Sequence, residues 1–168
     1  PGFKKVKGYS HSICVSTNNV VVHGVPTNYK FKAGDVIGID CGVFYKGFHT
    51  DMAETVRIQN SEFRVQSDEV GKFLKTGKRA LDEAIKMAKA GNRVGHISKT
   101  IQNIVEEKGY SIVRSLVGHG VGRTLHEEPE VPGYGSRGTG PLLEEGMSLA
   151  IEVIYAAGTS EVILDDDG

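Results

Sequence analysis

Apolar residues along this chain keep one spacing for about a third of its length, then switch to another, then lose it. Ile13-Cys14-Val15 and Val20-Val21-Val22 are short β-branched runs separated by Ser16-Thr17-Asn18-Asn19, a spacer of turn composition, and both read as strands. Pro26 to Gly34 reads as a loop. Residues 35–45 then alternate: Ile37, Ile39, Cys41 and Val43 fall on one face, Gly38, Asp40 and Gly42 on the other. Lys46-Gly47 predicts a turn, and residues 48–58 a return strand that completes a hairpin.

The period changes next. Val70, Leu74, Gly77, Leu81, Ala84 and Ala88 recur at steps of three and four, with Phe73 and Ile85 widening the stripe, so an amphipathic helix is expected, capped by Ser67 and stopped by Gly91. Ile97, Ile101, Ile104 and Val105 outline a second helix with Gly109 as its stop. Residues 110–117 return to strand character, and residues 118–146, rich in Gly and Pro, have little periodicity. Residues 147–157 read as a strand and residues 161–164 as the start of another. Strands, two helices and further strands make an α+β class. The chain closes on Asp165-Asp166-Asp167-Gly168, a turn signal with no strand after it, and opens on Pro1 rather than Met. The expectation is a piece of a longer protein that forms one domain over residues 1–168.

Composition narrows the function classes. Twenty Lys and Arg against 21 Asp and Glu leave a formal charge of -1, which argues against a nonspecific nucleic-acid binder. A hydrophobic share of 39% is too rich for a disordered chain. Apolar runs of only a few residues cannot span a membrane, and no charged-then-apolar leader opens the chain. Cys14 and Cys41 are too few for a disulfide scaffold and read as reduced thiols of a cytoplasmic protein. The 22 glycines imply tight turns or close backbone approaches.

Asp40 and Asp51 are the first candidates for chemistry. A turn centred between Tyr45 and Lys46 would set them directly opposite each other, with Cβ atoms about 5 Å apart. Carboxylates that close repel unless a proton or cation lies between them. Two divalent ions fit the arrangement, and so do two solvated acids on an exposed face. His119 sits between glycines in Gly118-His119-Gly120, which would let the backbone approach a site closely. His126 follows it by seven residues, and His23 ends the second apolar run. His49 lines the hairpin or is merely exposed. Each of these histidines reads equally as an ordinary structural one. Glu152 interrupts Leu149-Ala150-Ile151-Glu152-Val153-Ile154, where a buried charge would need a partner or a metal and an outward-facing Glu would need neither. Together, Asp, Asp, His and Glu make an oxygen-rich, one-nitrogen donor set suited to Mn, Fe(II), Co or Zn.

Several segments carry a resemblance. They are Ser12-Ile13-Cys14-Val15, Val21-Val22-His23-Gly24-Val25-Pro26, Gly34-Asp35-Val36-Ile37-Gly38-Ile39-Asp40, Gly47-Phe48-His49-Thr50-Asp51, Gly118-His119-Gly120-Val121-Gly122-Arg123, Leu125-His126-Glu127-Glu128-Pro129 and Gly146-Met147-Ser148-Leu149-Ala150-Ile151-Glu152. In these, in family order, the chain closely resembles the type I methionine aminopeptidases, of the fold often called pita bread. The resemblance implies a curved antiparallel sheet, with two pseudo-twofold related halves, here roughly 1–91 and 92–168, and flanking helices. It implies a dinuclear-metal hydrolase that removes N-terminal methionine by metal-activated water. Asp40 then resembles a ligand of one metal, Asp51 the bridging carboxylate, and His119 and Glu152 ligands of the other metal. Glu152 also shuttles the proton, and His23 and His126 match non-ligand histidines beside the scissile peptide. Tyr9, Cys14 and Leu125 match the pocket for the methionine side chain, Leu125 where Phe is frequent. Implied partners are a peptide or nascent-chain N-terminus and transient association with the ribosome, for a monomer without nucleic-acid readout or membrane contact.

The resemblance has departures. A fifth ligand, a bridging Glu on a later strand, has no counterpart in these 168 residues, and the usual Ile-Glu-Pro is Ile151-Glu152-Val153. The alternatives that stay open are a proline-directed aminopeptidase or dipeptidase, a non-catalytic peptide-binding member of the fold, and an inactive fragment.

Overall fold

The computed structural model describes residues 1–59 and 68–164. After a short 3₁₀ turn at Phe3–Lys5 come strands β1 (Ile13–Thr17), β2 (Val36–Tyr45) and β3 (Phe48–Arg57). Helices α1 (Glu69–Ile85) and α2 (Val94–Glu107) follow, then strands β4 (Ser111–Ile112), β5 (Gly118–Gly120), β6 (Glu127–Val131), β7 (Leu149–Ala150) and β8 (Tyr155–Ala156). They form two compact units. One is built from the described residues of Pro1–Gly71 with Arg123–Leu125 and Leu164, the other from Lys72–Gly122 with His126–Ile163.

The first unit is organised by the order β1-β2-β3, antiparallel throughout. Its hairpin closes through Lys46 (φ 48°) and Gly47 (φ 88°), two left-handed residues whose twist matches that of the flanking strands. Tyr45 pairs with Phe48 and the ladder runs unbroken to Val36 and Arg57.

The second unit holds the larger core. Ile97, Ile101, Ile104 and Val105 lie on one face of α2 and pack with Ala80 and Ala84 of α1, Ile112, Val131 and Leu143. Ile97, Ile101 and Val105 are completely buried, each contributing about 1.5–3 kcal/mol of transfer free energy. Gly77 belongs to the apolar stripe of α1 for a reason that periodicity does not contain. A Cβ there would lie 2.6 Å from the Tyr155 hydroxyl oxygen. That hydroxyl accepts a bond from the Gly77 N–H (2.9 Å) and donates to the Phe73 carbonyl. These are a donor and acceptor four residues apart, so the tyrosine is inserted into the helix's own ladder and ties β8 to α1. The Phe73 ring stacks on Tyr155 at 4.3 Å, with Tyr110 edge-on to Phe73.

The expectation of one curved sheet is corrected. The described strands form three separate open ladders, β1-β2-β3, β4-β8 and β6-β5-β7, none closed on itself. The α+β class and the two helices hold. Strands after α2 are only two to five residues long and are interrupted by a register shift at Gly118/Gly120 and by prolines, so no continuous ladder can extend from them.

Local readings differ in the same sense. Residues 20–22 form a loop with Val20 and Val21 exposed. The strand expected over 110–117 is reduced to Ser111–Ile112, and that over 147–157 to β7 and β8 with an irregular link. Residues 161–164 are not in a strand. β5 and β6 lie in the stretch without periodicity. Gly109 (φ 77°) does end α2, whereas α1 ends before Gly91. Ser67 and the turn at 165–168 fall outside the described residues.

Burial pushes the Tyr155 hydroxyl up to about 12, with Tyr110 adding to the rise and the Gly77 hydrogen bond opposing it. A raised value means that the folded state holds the proton. The stabilisation is complete below pH 10 and is lost as pH rises from 10 towards about 12. Tyr155→Phe is expected to lower stability by about 1 kcal/mol at pH 7 in urea titrations and to flatten the decline above pH 10.

Candidate metal centre

The hairpin places both aspartates, though not as the sequence suggests. Asp40 faces Ala53 and Asp51 faces Gly42, so the two acids are diagonal neighbours, not direct partners. The turn is centred between Lys46 and Gly47, one residue later than expected, which shifts every pairing by two. A shift of two preserves the face, so Asp40 and Asp51 still point to the same side. Diagonal positions are about 7–8 Å apart, which eases the repulsion expected for direct opposition. His49 shares that face. Its ring packs on Phe44 at 4.6 Å, and its Nδ1 is buried without a hydrogen-bond partner.

Cys14 pairs with Asp40 across β1 and β2 and so stands on the same face. It is buried in one cluster with Leu125 and Phe3, against which Tyr9 packs. The three residues matched to a side-chain pocket are thus brought together, and Phe3 joins them. Nothing in the aperiodic opening of the chain marked Phe3. The only signal was Gly42, a position without a side chain beneath its ring.

Burial raises the Cys14 thiol above its ordinary value. A hydrogen bond with Tyr9 opposes that rise, and the Asp40 and Asp51 carboxylates reinforce it. The Tyr9 hydroxyl is raised by burial, then by Cys14 and by Asp40, and it donates to the Ile13 carbonyl at 2.8 Å. Cys14 therefore remains a neutral thiol at pH 7, a polarizable lining atom and not a nucleophile. His23 is exposed and left-handed (φ 58°), a conformation that costs a non-glycine residue energy.

In the second unit β5 is the central strand, and it is very short. His119 pairs with Ala150 of β7. The glycines beside it serve the neighbouring strands. A Cβ at Gly118 would lie 2.4 Å from the Ala150 carbonyl, and one at Gly120 would lie 2.3 Å from the Glu128 carbonyl. His119 itself is 8% exposed. Its Nδ1–H donates to the Gly120 carbonyl at 2.7 Å, which selects the tautomer and leaves the Nε2 lone pair outward. Nε2 lies 3.4 Å from Glu152 Oε1. Glu152 is half-buried, its side chain 34% exposed, so it is not the fully enclosed charge that the apolar run allowed. The exposed His126 ring meets His119 edge-on at 4.4 Å.

Asp51, His119 and Glu152 each present one ligand atom, and these atoms lie within 4.8 Å of one another. One imidazole nitrogen and two carboxylates suit a borderline divalent ion. The hydrogen bond from the far ring nitrogen to a backbone carbonyl is the outer support that metal-bound histidines carry. The donor set therefore fits a divalent metal. Asp40 is not one of these three and stands on the sheet face it shares with Asp51.

The sequence model of metallopeptidase family M24 matches residues 2–167. The chain is 44% identical over its whole length to a methionine aminopeptidase of Clostridium perfringens, of which it covers 66%. It is 43% identical to methionine aminopeptidase 1 of Bacillus subtilis, over 96% of this chain and 63% of that one. Among solved structures, the methionine aminopeptidase of Thermotoga maritima superposes over the whole chain with a TM-score of 0.92 at 44% identity, again over 66% of that chain. A prolidase of Pyrococcus horikoshii matches 82% of this chain and 38% of its own, with a TM-score of 0.68 and 25% identity. The chain thus spans just under two thirds of the length of the first two of these relatives.

Asp51→Ala and His119→Ala are each expected to weaken Mn²⁺ binding at least about tenfold in titration calorimetry, since loss even of outer-shell partners costs that much. Gly118→Ala is expected to weaken Mn²⁺ binding too. Its new methyl group cannot coexist with the Ala150 carbonyl, and β5 must move away from β7.

Proposed function

The chain belongs to metallopeptidase family M24, and we propose that its protein is a dinuclear-metal hydrolase that removes N-terminal methionine from peptides and nascent proteins in the cytoplasm. The observation that carries this reading is the placement of Cys14, in its apolar cluster, on the sheet face that bears Asp40 and Asp51. A thioether side chain lodged against Cys14, Tyr9 and Leu125 leaves the substrate's free amine and first carbonyl beside the carboxylates. That geometry favours cleavage at the end of a chain.

Asp40, Asp51, His119 and Glu152 are the residues that would hold the metals. Bound divalent ions there supply Lewis acidity and a nucleophilic water at neutral pH. The chain's own groups do the rest. The Glu152 carboxylate accepts a proton and returns it to the leaving amine. His126 donates a hydrogen bond to the carbonyl oxygen as charge develops on it. His23 steadies the peptide nitrogen. The pocket binds by shape and dispersion, which suits an unbranched sulfur-containing chain. A small second residue and transient ribosome contact complete the proposed substrate picture. A proline-directed peptidase would use a similar metal set, but the likeness to a prolidase is weaker in both identity and superposition than that to the methionine-specific relatives.

The test is release of methionine from a Met-Ala peptide by the full chain with Mn²⁺ or Co²⁺, followed chromatographically beside an Ala-Pro peptide. Methionine release abolished by chelation is expected. Preference for the Pro peptide would reverse the assignment. His126→Ala is expected to lower turnover about 100-fold while leaving Mn²⁺ affinity within about twofold, and normal turnover would remove His126 from its role. Asp51→Ala is expected to lower both.

A further inference from the structure

Glu152 supplies one of the three clustered ligand atoms, yet no strand holds it. It sits in the link 151–154, between the two-residue strands β7 and β8. On the β7 side the chain is paired to β5, and a Cβ at Gly118 would lie 3.1 Å from the Glu152 nitrogen. On the β8 side Ser111 pairs with Ala156 and Ile112 with Tyr155, and the Val113 N–H donates to the Ile154 carbonyl at 3.1 Å. Every second residue from Leu149 to Tyr155 packs on the core, and Glu152 belongs to the other set. Tyr155 adds a side-chain tie. Its hydroxyl accepts from the Gly77 N–H at 2.9 Å and donates to the Phe73 carbonyl, and its ring stacks on Phe73 at 4.3 Å. Only Val153 and Ile154 separate Tyr155 from Glu152, so a displacement of the tyrosine passes along the backbone to the carboxylate.

We propose that Tyr155 is a positioning residue for the metal centre: its hydroxyl, seated in the ladder of α1, sets where the Glu152 carboxylate stands against His119 Nε2. This rests on the metal-binding reading for the purpose of the tie, and on geometry alone for the tie itself. The Glu152 side chain is 34% exposed, with Oε1 3.4 Å from that nitrogen, so packing around the carboxylate does not hold it in place. A functional group has to be held to within about 0.5 Å of its productive position, and the hold must come from its supports. The hydroxyl is the group that matters. A phenylalanine at 155 keeps the stacked ring and loses both bonds. The Gly77 N–H and Phe73 carbonyl, four residues apart, then close on each other as in any helix. The helix survives, and β8 loses its hold on it.

The experiment measures Mn²⁺ affinity by calorimetry for the full chain, Tyr155→Phe, Gly77→Ala and Ile104→Val. The last is a control that trims the core from α2 and leaves the hydroxyl and its partners in place. Tyr155→Phe is expected to weaken binding about tenfold, the cost of losing an outer support. Gly77→Ala is expected to do the same from the other partner, since its Cβ would lie 2.6 Å from the hydroxyl oxygen. Ile104→Val is expected to change affinity by less than about twofold, although it too removes core packing. Unchanged affinity in a folded Tyr155→Phe chain overturns the proposal, and so does an equal loss in Ile104→Val, which would mark a general effect of stability. A second readout needs no metal. In the metal-free chain, amide hydrogen exchange over residues 151–154, resolved by peptide mass, is expected to quicken at least about threefold in Tyr155→Phe, while that of α2 changes by less than about twofold. An unchanged rate over 151–154 overturns the tie. A parent chain that binds no Mn²⁺, with exchange over 151–154 rising as expected, keeps the tie and sinks the metal-binding reading.

Discussion

The hydrogen bond from His119 Nδ1 to the Gly120 carbonyl is the interaction on which the metal-binding arrangement turns. An imidazole can offer a lone pair from either nitrogen, and a ligand is useful only if the choice is made before the ion arrives. Here the backbone makes the choice, and Nε2 is left directed at Glu152. The bond exists because β5 is sandwiched between β6 and β7 with no side chains at Gly118 and Gly120 to hold them apart. Any methyl group added there must displace the strand that carries the imidazole. The site's electronic state is therefore secured by packing of main chain on main chain.

The first unit solves a different problem, which is how to keep an apolar cluster beside acids. Carboxylates disfavour a nearby thiolate or phenolate, and burial disfavours any charge, so both effects act in one direction on Cys14 and Tyr9. The lining stays neutral because it is next to the charged face. The diagonal offset of Asp40 and Asp51 belongs to the same economy of charge. Direct opposition would bring the two like charges closer than the diagonal, two-residue step does.

The exposure of Ile39, Val43, Tyr45, Phe48 and Met52 on the other face of the same sheet follows from the same alternation. One side bears Asp40, Asp51 and Gly42, the other this apolar row together with Thr50 and Glu54. Strict period-two patterning leaves no position neutral between the two roles.

Much of this was legible in the amino-acid order. Parity along β2 put Asp40 with Gly42 and against Ile39, and it survived an error in the turn's centre because a shift of two residues leaves every side chain on its own face. The stripe of α2 named Ile97, Ile101, Ile104 and Val105 as core, and all four are buried. The matched segments carried Asp51, His119 and Glu152, whose ligand atoms lie within 4.8 Å of one another, and also Asp40, which is not in that group. Other features could not be read. β5 and β6 are too short and too rich in Gly and Pro to carry a period, and their pairing is decided by contacts between residues far apart in the chain. Gly77 registered as one more apolar position, yet it is there to admit a hydroxyl from Tyr155, 78 residues away. Phe3 had no pattern at all and is placed by the vacancy above Gly42. Periodicity is a local property, so the sequence determined which side of an element each residue faces. Which atoms then touch depends on register, close approach and tautomer, and only the folded chain decides those, because each needs two distant segments to meet.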